Sequence, residues 1–188
     1  MDLKRFIVKY DGVLDDNLCK NAIEYFNKGA DSITRIDNEM CGFSCINLTE
    51  EVEVKHNNIW NPIHQQVLLA IKATGERYMK DVNCEPYWPR QNSLEQVKMI
   101  KYQHKTADRF DRHIDVGDYN SARRFLTIQM YLNDVEEGGE TFFNDLDLKV
   151  PSQRGSVVLF PATWTYPHSY LAPIGVDKYA LTTYLHYT

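Results

Sequence analysis

The chain has 188 residues, 43% of them hydrophobic, with a formal net charge of −5. That is enough apolar material for the core of one domain and too much for a disordered chain. No block of Lys and Arg is present to neutralise phosphates, which disfavours a nucleic-acid partner; Arg123 and Arg124 make a small basic footprint.

No uninterrupted apolar run approaches a membrane span, and Met1-Asp2-Leu3-Lys4-Arg5 is not followed by the hydrophobic stretch of a signal peptide. A cytoplasmic, reducing location and no membrane partner are the expectation. Cys19, Cys41, Cys45 and Cys84 are then expected as free thiols. Cys41 and Cys45 are the one close pair, and a zinc site there would need two further ligands.

Residues 6–10 read as a short strand. Asp15, Asp16 and Asn17 offer caps to a helix carrying Leu18, Ala22, Ile23, Tyr25 and Phe26. Ile59, Ile63, Val67, Leu68, Ile71 and Tyr78 recur at helical spacing, which predicts a second helix between residues 58 and 82. The two helices are expected to cover one face of a sheet. Residues 29–58 are polar and lack clear periodicity, so they read as a mobile or functional connection in which Phe43 and Ile46 form a short strand.

From residue 95 the period changes to two. Residues 97–102 form the first good strand, and residues 124–132 a second one apolar enough to be buried on both faces. Short strands are predicted at 141–143, 146–150, 156–160 and 179–187. Gly138, Gly139, Pro151, Gly155 and Pro161 punctuate them, with a tight turn at Gly138-Gly139 supplying positive φ. This spacing suggests a sandwich or barrel. One domain over residues 1–188 is expected, with helical support over about 1–95 and a metal-binding β core over about 96–188.

His113 and Asp115 stand two apart, so on a strand both point to the same side while Ile114 points away. With His168 they make a set of two imidazoles and one carboxylate. That set holds ferrous iron without saturating it and leaves positions open for chemistry. His56, His64, His104 and His186 read as surface or packing residues. His104 is the one of interest, because its loop should border the site.

This triad, together with Arg124 through Asp134, the Gly138-Gly139-Glu140-Thr141 run and Lys178 ten residues after His168, resembles the 2-oxoglutarate- and Fe(II)-dependent dioxygenases, and within them the prolyl 4-hydroxylase-like branch. The resemblance covers roughly residues 97–188. It implies a fold that is mainly β with flanking α: a double-stranded β-helix, or distorted jelly roll, with the amino-terminal helices packed on one sheet. It implies Fe(II) on His113, Asp115 and His168, 2-oxoglutarate and O₂ as co-substrates, and ascorbate as reductant. Lys178 would bind the far carboxylate of 2-oxoglutarate with help from the Tyr131 hydroxyl. Tyr102, Thr127 and Thr182 would line the same pocket. Arg124, Trp164 and Tyr184 would serve the substrate side.

This chain departs from the family pattern in three places. The interval from Tyr102 to His113 is longer than usual and lacks the usual glycine-containing turn, Phe110 stands where tyrosine is common, and Tyr184 stands where tryptophan is common. The implied reaction is hydroxylation of a prolyl residue in a peptide or protein, with release of succinate and CO₂. Loops 29–58, 103–112 and 116–123 would form the substrate groove. A free amino acid or other small molecule is the alternative substrate. Two readings from other classes compete. A catalytically silent jelly-roll binding module would have lost a ligand or the lysine, and a cupin-like metalloenzyme would have no need of Lys178.

Overall fold

A computed structural model describes residues 2–29 and 32–188. A single 3-10 turn leads into β1 (Val8–Tyr10) and then α1 (Asp16–Lys28). Asp15 caps α1 by accepting from the backbone N–H groups of Asn17 and Leu18, and Leu18, Cys19, Ala22 and Phe26 form its buried face. A hairpin of β2 (Thr34–Asp37) and β3 (Gly42–Asn47) follows, then the short α2 (Leu48–Glu53).

The long α3 (Asn61–Asp81) starts with Pro62 in its first turn and buries Ile63, Val67, Ile71 and Tyr78. Strands β4 (Asn92–Leu94), β5 (Lys98–Tyr102), β6 (Phe110–His113), β7 (Arg124–Tyr131), β8 (Glu137–Gly138), β9 (Thr141–Phe143), β10 (Leu148–Val150), β11 (Val157–Pro161), β12 (His168–Tyr170), β13 (Pro173–Ile174) and β14 (Lys178–Tyr187) complete the chain.

The strands form a large sheet in the order β1-β11-β7-β14-β5-β3-β2, with β4 on the end of β14, and a small sheet in the order β10-β9-β12-β6. The short β8 and β13 pair beside them. There Gly138 takes φ +71°, and an added Cβ would lie 2.2 Å from the Ala172 carbonyl oxygen, so the predicted glycine turn is a steric requirement. The fold is thus mainly β with flanking helices, the jelly-roll class expected.

Alternation along the large sheet builds two cores. On β7, Leu126, Ile128 and Met130 face the helices, as do Met99, Leu159 and Leu181, and these pack with Phe26, Val67 and Tyr78. The opposite residues, among them Tyr131, Val158, Phe160 and Ala180, face the small sheet and pack with Phe143 and Tyr166. Helices, large sheet and small sheet therefore form three layers, and polar residues of the inner faces are enclosed between the two sheets.

Two expectations change. The connection at 29–58 is not aperiodic: β3 pairs β5 and extends the large sheet, although residues 30 and 31 lie outside the described residues. Its pattern hid because Gly42 and Ser44 share the buried face with Ile46. The amino-terminal half is also more than helical support, since β1, β2, β3 and β4 all join the large sheet. Among the described residues, no helix is long and apolar enough to cross a membrane. The four cysteines are free, as expected.

Candidate active site

The small sheet sets two imidazoles side by side. β12 runs antiparallel to β6 with His168 directly opposite His113. Each ring is fixed through Nδ1, which lies 2.9 Å from the Asp111 carbonyl in His113 and 3.1 Å from the Tyr166 carbonyl in His168. A carbonyl only accepts, so both Nδ1 atoms carry a proton, which leaves each Nε2 as the nitrogen available to a metal. Burial, then the neighbouring His168, pushes His113 well below the ordinary imidazole range, which keeps it neutral.

Asp115 supplies the third group. The strand expected through Ile114 stops at His113, so Asp115 lies in the bend just beyond it. The large sheet holds its carboxylate. Thr127 donates to Oδ2 at 2.6 Å and Tyr184 to Oδ1 at 3.1 Å, while Arg124 donates to its backbone carbonyl at 2.9 Å. The carboxylate lies 3.9 Å from Nε2 of each histidine, and one donor atom from each of the three residues falls within 4.8 Å of the others. Two imidazoles and a buried carboxylate, preset by hydrogen bonds to their far sides, fit one divalent ion.

Behind the triad is a buried cation. Lys178 is fully buried at the start of β14, opposite Tyr102 on β5. Its Nζ has no hydrogen-bond partner and lies 5.4, 5.3 and 5.0 Å from the ring centres of Tyr102, Tyr131 and Tyr170. Burial pushes its pKa down to about 7, with Glu140 opposing. The Tyr102 hydroxyl, Thr182 Oγ1 and Gln129 Nε2 are likewise buried without partners. Buried polar groups in folded proteins are nearly always paired, so a group of donors left over between two sheets fits an anionic ligand.

The other residues singled out in the sequence fall into place unevenly. Tyr131 is fully buried beside Lys178, but its hydroxyl is taken up by Thr141 at 2.7 Å. Thr127 faces Asp115, not the lysine. Arg124 forms a two-pronged pair with Glu95 at 2.8 Å on both arms and stacks its guanidinium 3.9 Å over the Tyr184 ring.

Arg124 and Tyr184 line a cleft of about 600 Å³ that reaches Thr182 and Phe110. Trp164 is 75% exposed and lines a different hollow of about 650 Å³ beside His113 and Ile114. The structure does not bring Trp164 to the other two. His104 lies apart from the triad, paired with Asp177 at 2.7 Å.

Sequence reasoning passed over Glu95, Gln129, Thr141 and Tyr170. Parity offered a signal for two of them. Gln129 shares its face with Thr127 and Tyr131, and Tyr170 shares one with His168.

Between the two sheets, then, two imidazoles and a carboxylate that could hold a divalent ion stand beside a buried lysine that could take an anionic group. Residues 97–186 match the model of the 2OG-Fe(II) oxygenase superfamily. The chain is 34% identical over 73 residues to a probable prolyl 4-hydroxylase 4 of Arabidopsis thaliana, a match spanning 36% of this chain and 23% of that protein's length. In fold it is similar to a viral collagen prolyl hydroxylase from Paramecium bursaria Chlorella virus-1, solved with 2OG (TM-score 0.68, 19% identity, 97% of each chain). It is also similar in fold to a Trichoplax adhaerens prolyl hydroxylase in complex with a hypoxia inducible factor peptide fragment (TM-score 0.72, 13% identity, 97% of this chain and 84% of the other).

Proposed function

We propose that this protein is an Fe(II)- and 2-oxoglutarate-dependent hydroxylase that acts on a prolyl residue of a peptide or protein. The observation that carries the reading is the pairing of the triad with a buried, unpartnered lysine in one enclosed space. A structural metal site would have no use for the second feature. The peptide substrate is supported by the prolyl hydroxylase relatives and by the open clefts on the triad's outer side.

In this reading His113, Asp115 and His168 hold the iron. When bound, iron with 2-oxoglutarate and O₂ supplies the oxidation, in which 2-oxoglutarate leaves as succinate and CO₂ and a C–H bond becomes C–OH. Lys178 takes the far carboxylate, with Tyr102, Thr182 and Tyr131 around it. Its burial is what makes one ammonium sufficient, because the ion pair forms in a weakly screened interior. Thr127 and Tyr184 hold Asp115 so that its carboxylate faces both imidazoles. Arg124 fixes the backbone of the same residue, and with Tyr184 forms the wall of the cleft that the substrate enters. Trp164 flanks the opposite hollow.

The test is an anaerobic titration of purified protein with Fe(II) and 2-oxoglutarate. The expected result is the weak visible charge-transfer band of a chelated 2-oxo acid, fading on admission of O₂ as succinate forms. Folded protein that gives no band would overturn the reading. With the band established, proline-containing peptides are the first substrates to assay.

A further inference from the structure

Tyr170 is a buried side chain between the sheets with no part in the reading above. It lies on β12 two residues after His168, so both rings project from the same face of the small sheet. Its hydroxyl is 3.3 Å from His168 Nε2 and 3.4 Å from Gln129 Oε1. Its ring centre is 5.3 Å from that of His168, 5.9 Å from that of Tyr102, and 5.0 Å from Lys178 Nζ. One phenol thus touches the metal-facing nitrogen at its tip and the buried ammonium with its face. It is in reach of both groups that a bound 2-oxo acid would engage.

We infer that Tyr170 sets which 2-oxo acid the site accepts, its ring fixing the length of the acid and its hydroxyl donating to the end nearest the metal. The inference rests on the co-substrate reading of Lys178. A 2-oxo acid held at the triad and at Lys178 must run along this ring. An extra methylene has to buckle sideways, and the ring fills that space. The ring is itself hemmed in, with the Phe110, Tyr102 and His113 rings 6.3, 5.9 and 5.6 Å from its centre. The hydroxyl has a separate effect. It has a single proton and two weak acceptors at 3.3 and 3.4 Å, so it can turn to an oxygen of the acid when one is present.

The experiment compares the intact protein with Tyr170→Leu and Tyr170→Phe. Each is loaded anaerobically with Fe(II) and titrated with 2-oxoglutarate and with its longer homologue 2-oxoadipate. The charge-transfer band gives each Kd, and thermal shift with the same ligands gives a second readout. One methylene in a tight pocket is worth about tenfold or more. The wild-type protein should therefore bind 2-oxoadipate at least about tenfold more weakly, and Tyr170→Leu should erase most of that difference. Tyr170→Phe keeps the ring, so it should keep the length preference while weakening both acids together.

An unchanged ratio of the two Kd values in Tyr170→Leu overturns the inference. So does a ratio that collapses in Tyr170→Phe, since the hydroxyl and not the ring would then set length. If Tyr170→Leu melts below the assay temperature, Tyr170→Met makes the same comparison. Failure of the wild-type protein to bind any 2-oxo acid would remove the underlying reading as well. A wild-type band with an unchanged ratio in the variants removes only the role of Tyr170.

Discussion

Lys178 shows what one misplaced charge implies. A lysine buried among three tyrosine rings keeps its proton poorly, and its pKa falls to about 7. The unfolded chain holds that proton up to the ordinary lysine range. Between about pH 7 and that range the unfolded state therefore binds more protons, and stability of the ligand-free protein should rise with pH. Lys178→Met should flatten this rise in a series of melting curves from pH 7 to 9. A dianionic acid reverses the balance, because the far carboxylate restores the ammonium. Binding of 2-oxoglutarate at pH 8 should then take up close to one proton, read by calorimetry in two buffers of different ionisation heat. Heats that do not depend on the buffer would show that the lysine is already charged. His113 obeys the same physics with a different purpose: held neutral by burial, it keeps the lone pair a metal needs.

At the level of elements, the strand is the unit that turns spacing into chemistry. The strand expected at 124–132 appears as β7, and its parity delivers Thr127 and Tyr131 to the interior between the sheets. The strand expected at 179–187 appears as β14 and delivers Thr182 and Tyr184 there with Lys178. These strands were legible because long apolar runs of period two have few other solutions. β2, β4 and β12 were not, being short and rich in Arg, Asn, Ser or His. Their register comes from partners distant in sequence.

Partners explain the remaining misses too. Glu95 is recognisable only once β4 places it against Arg124, and Thr127 exchanges the lysine's neighbourhood for Asp115 because the bend after β6 carries Asp115 inward. The grip of β7 and β14 on that carboxylate is testable. Thr127→Val keeps shape and burial but removes the 2.6 Å hydrogen bond. It should weaken Fe(II) or Mn(II) binding by roughly 10–100-fold with little change in melting temperature. Asp115→Ala should abolish binding of the metal. Full metal affinity in Thr127→Val would mean that the hydroxyl only packs.

Across the whole molecule, the hairpin of β2 and β3 does more than widen a sheet. Arg35 on β2 reaches the buried Asp108 carboxylate at 2.5 and 2.8 Å, in the connection between Tyr102 and His113. Thr106 and the Gln103 amide also donate to it. The longer interval noted in the sequence is thus tied down from across the sheet by a pair whose acid is almost wholly buried. Removing one partner leaves that charge short of its counterion. Arg35→Ala should cost about 3 kcal/mol of folding stability in urea denaturation, and an unaltered midpoint would show that Thr106 and the backbone suffice.

The opposition of His113 and His168 across β6 and β12 has a consequence for how such a chain can vary. Their alignment is written in the hydrogen-bond register of two neighbouring strands, and the number of residues between them does not enter it. A connection between strands, such as residues 116–123, can be lengthened without changing that register. A slip of one residue in β12 would turn His168 to the outside and bring Ser169 in. Loop sequence and the pairing of the two imidazoles can therefore change independently of each other.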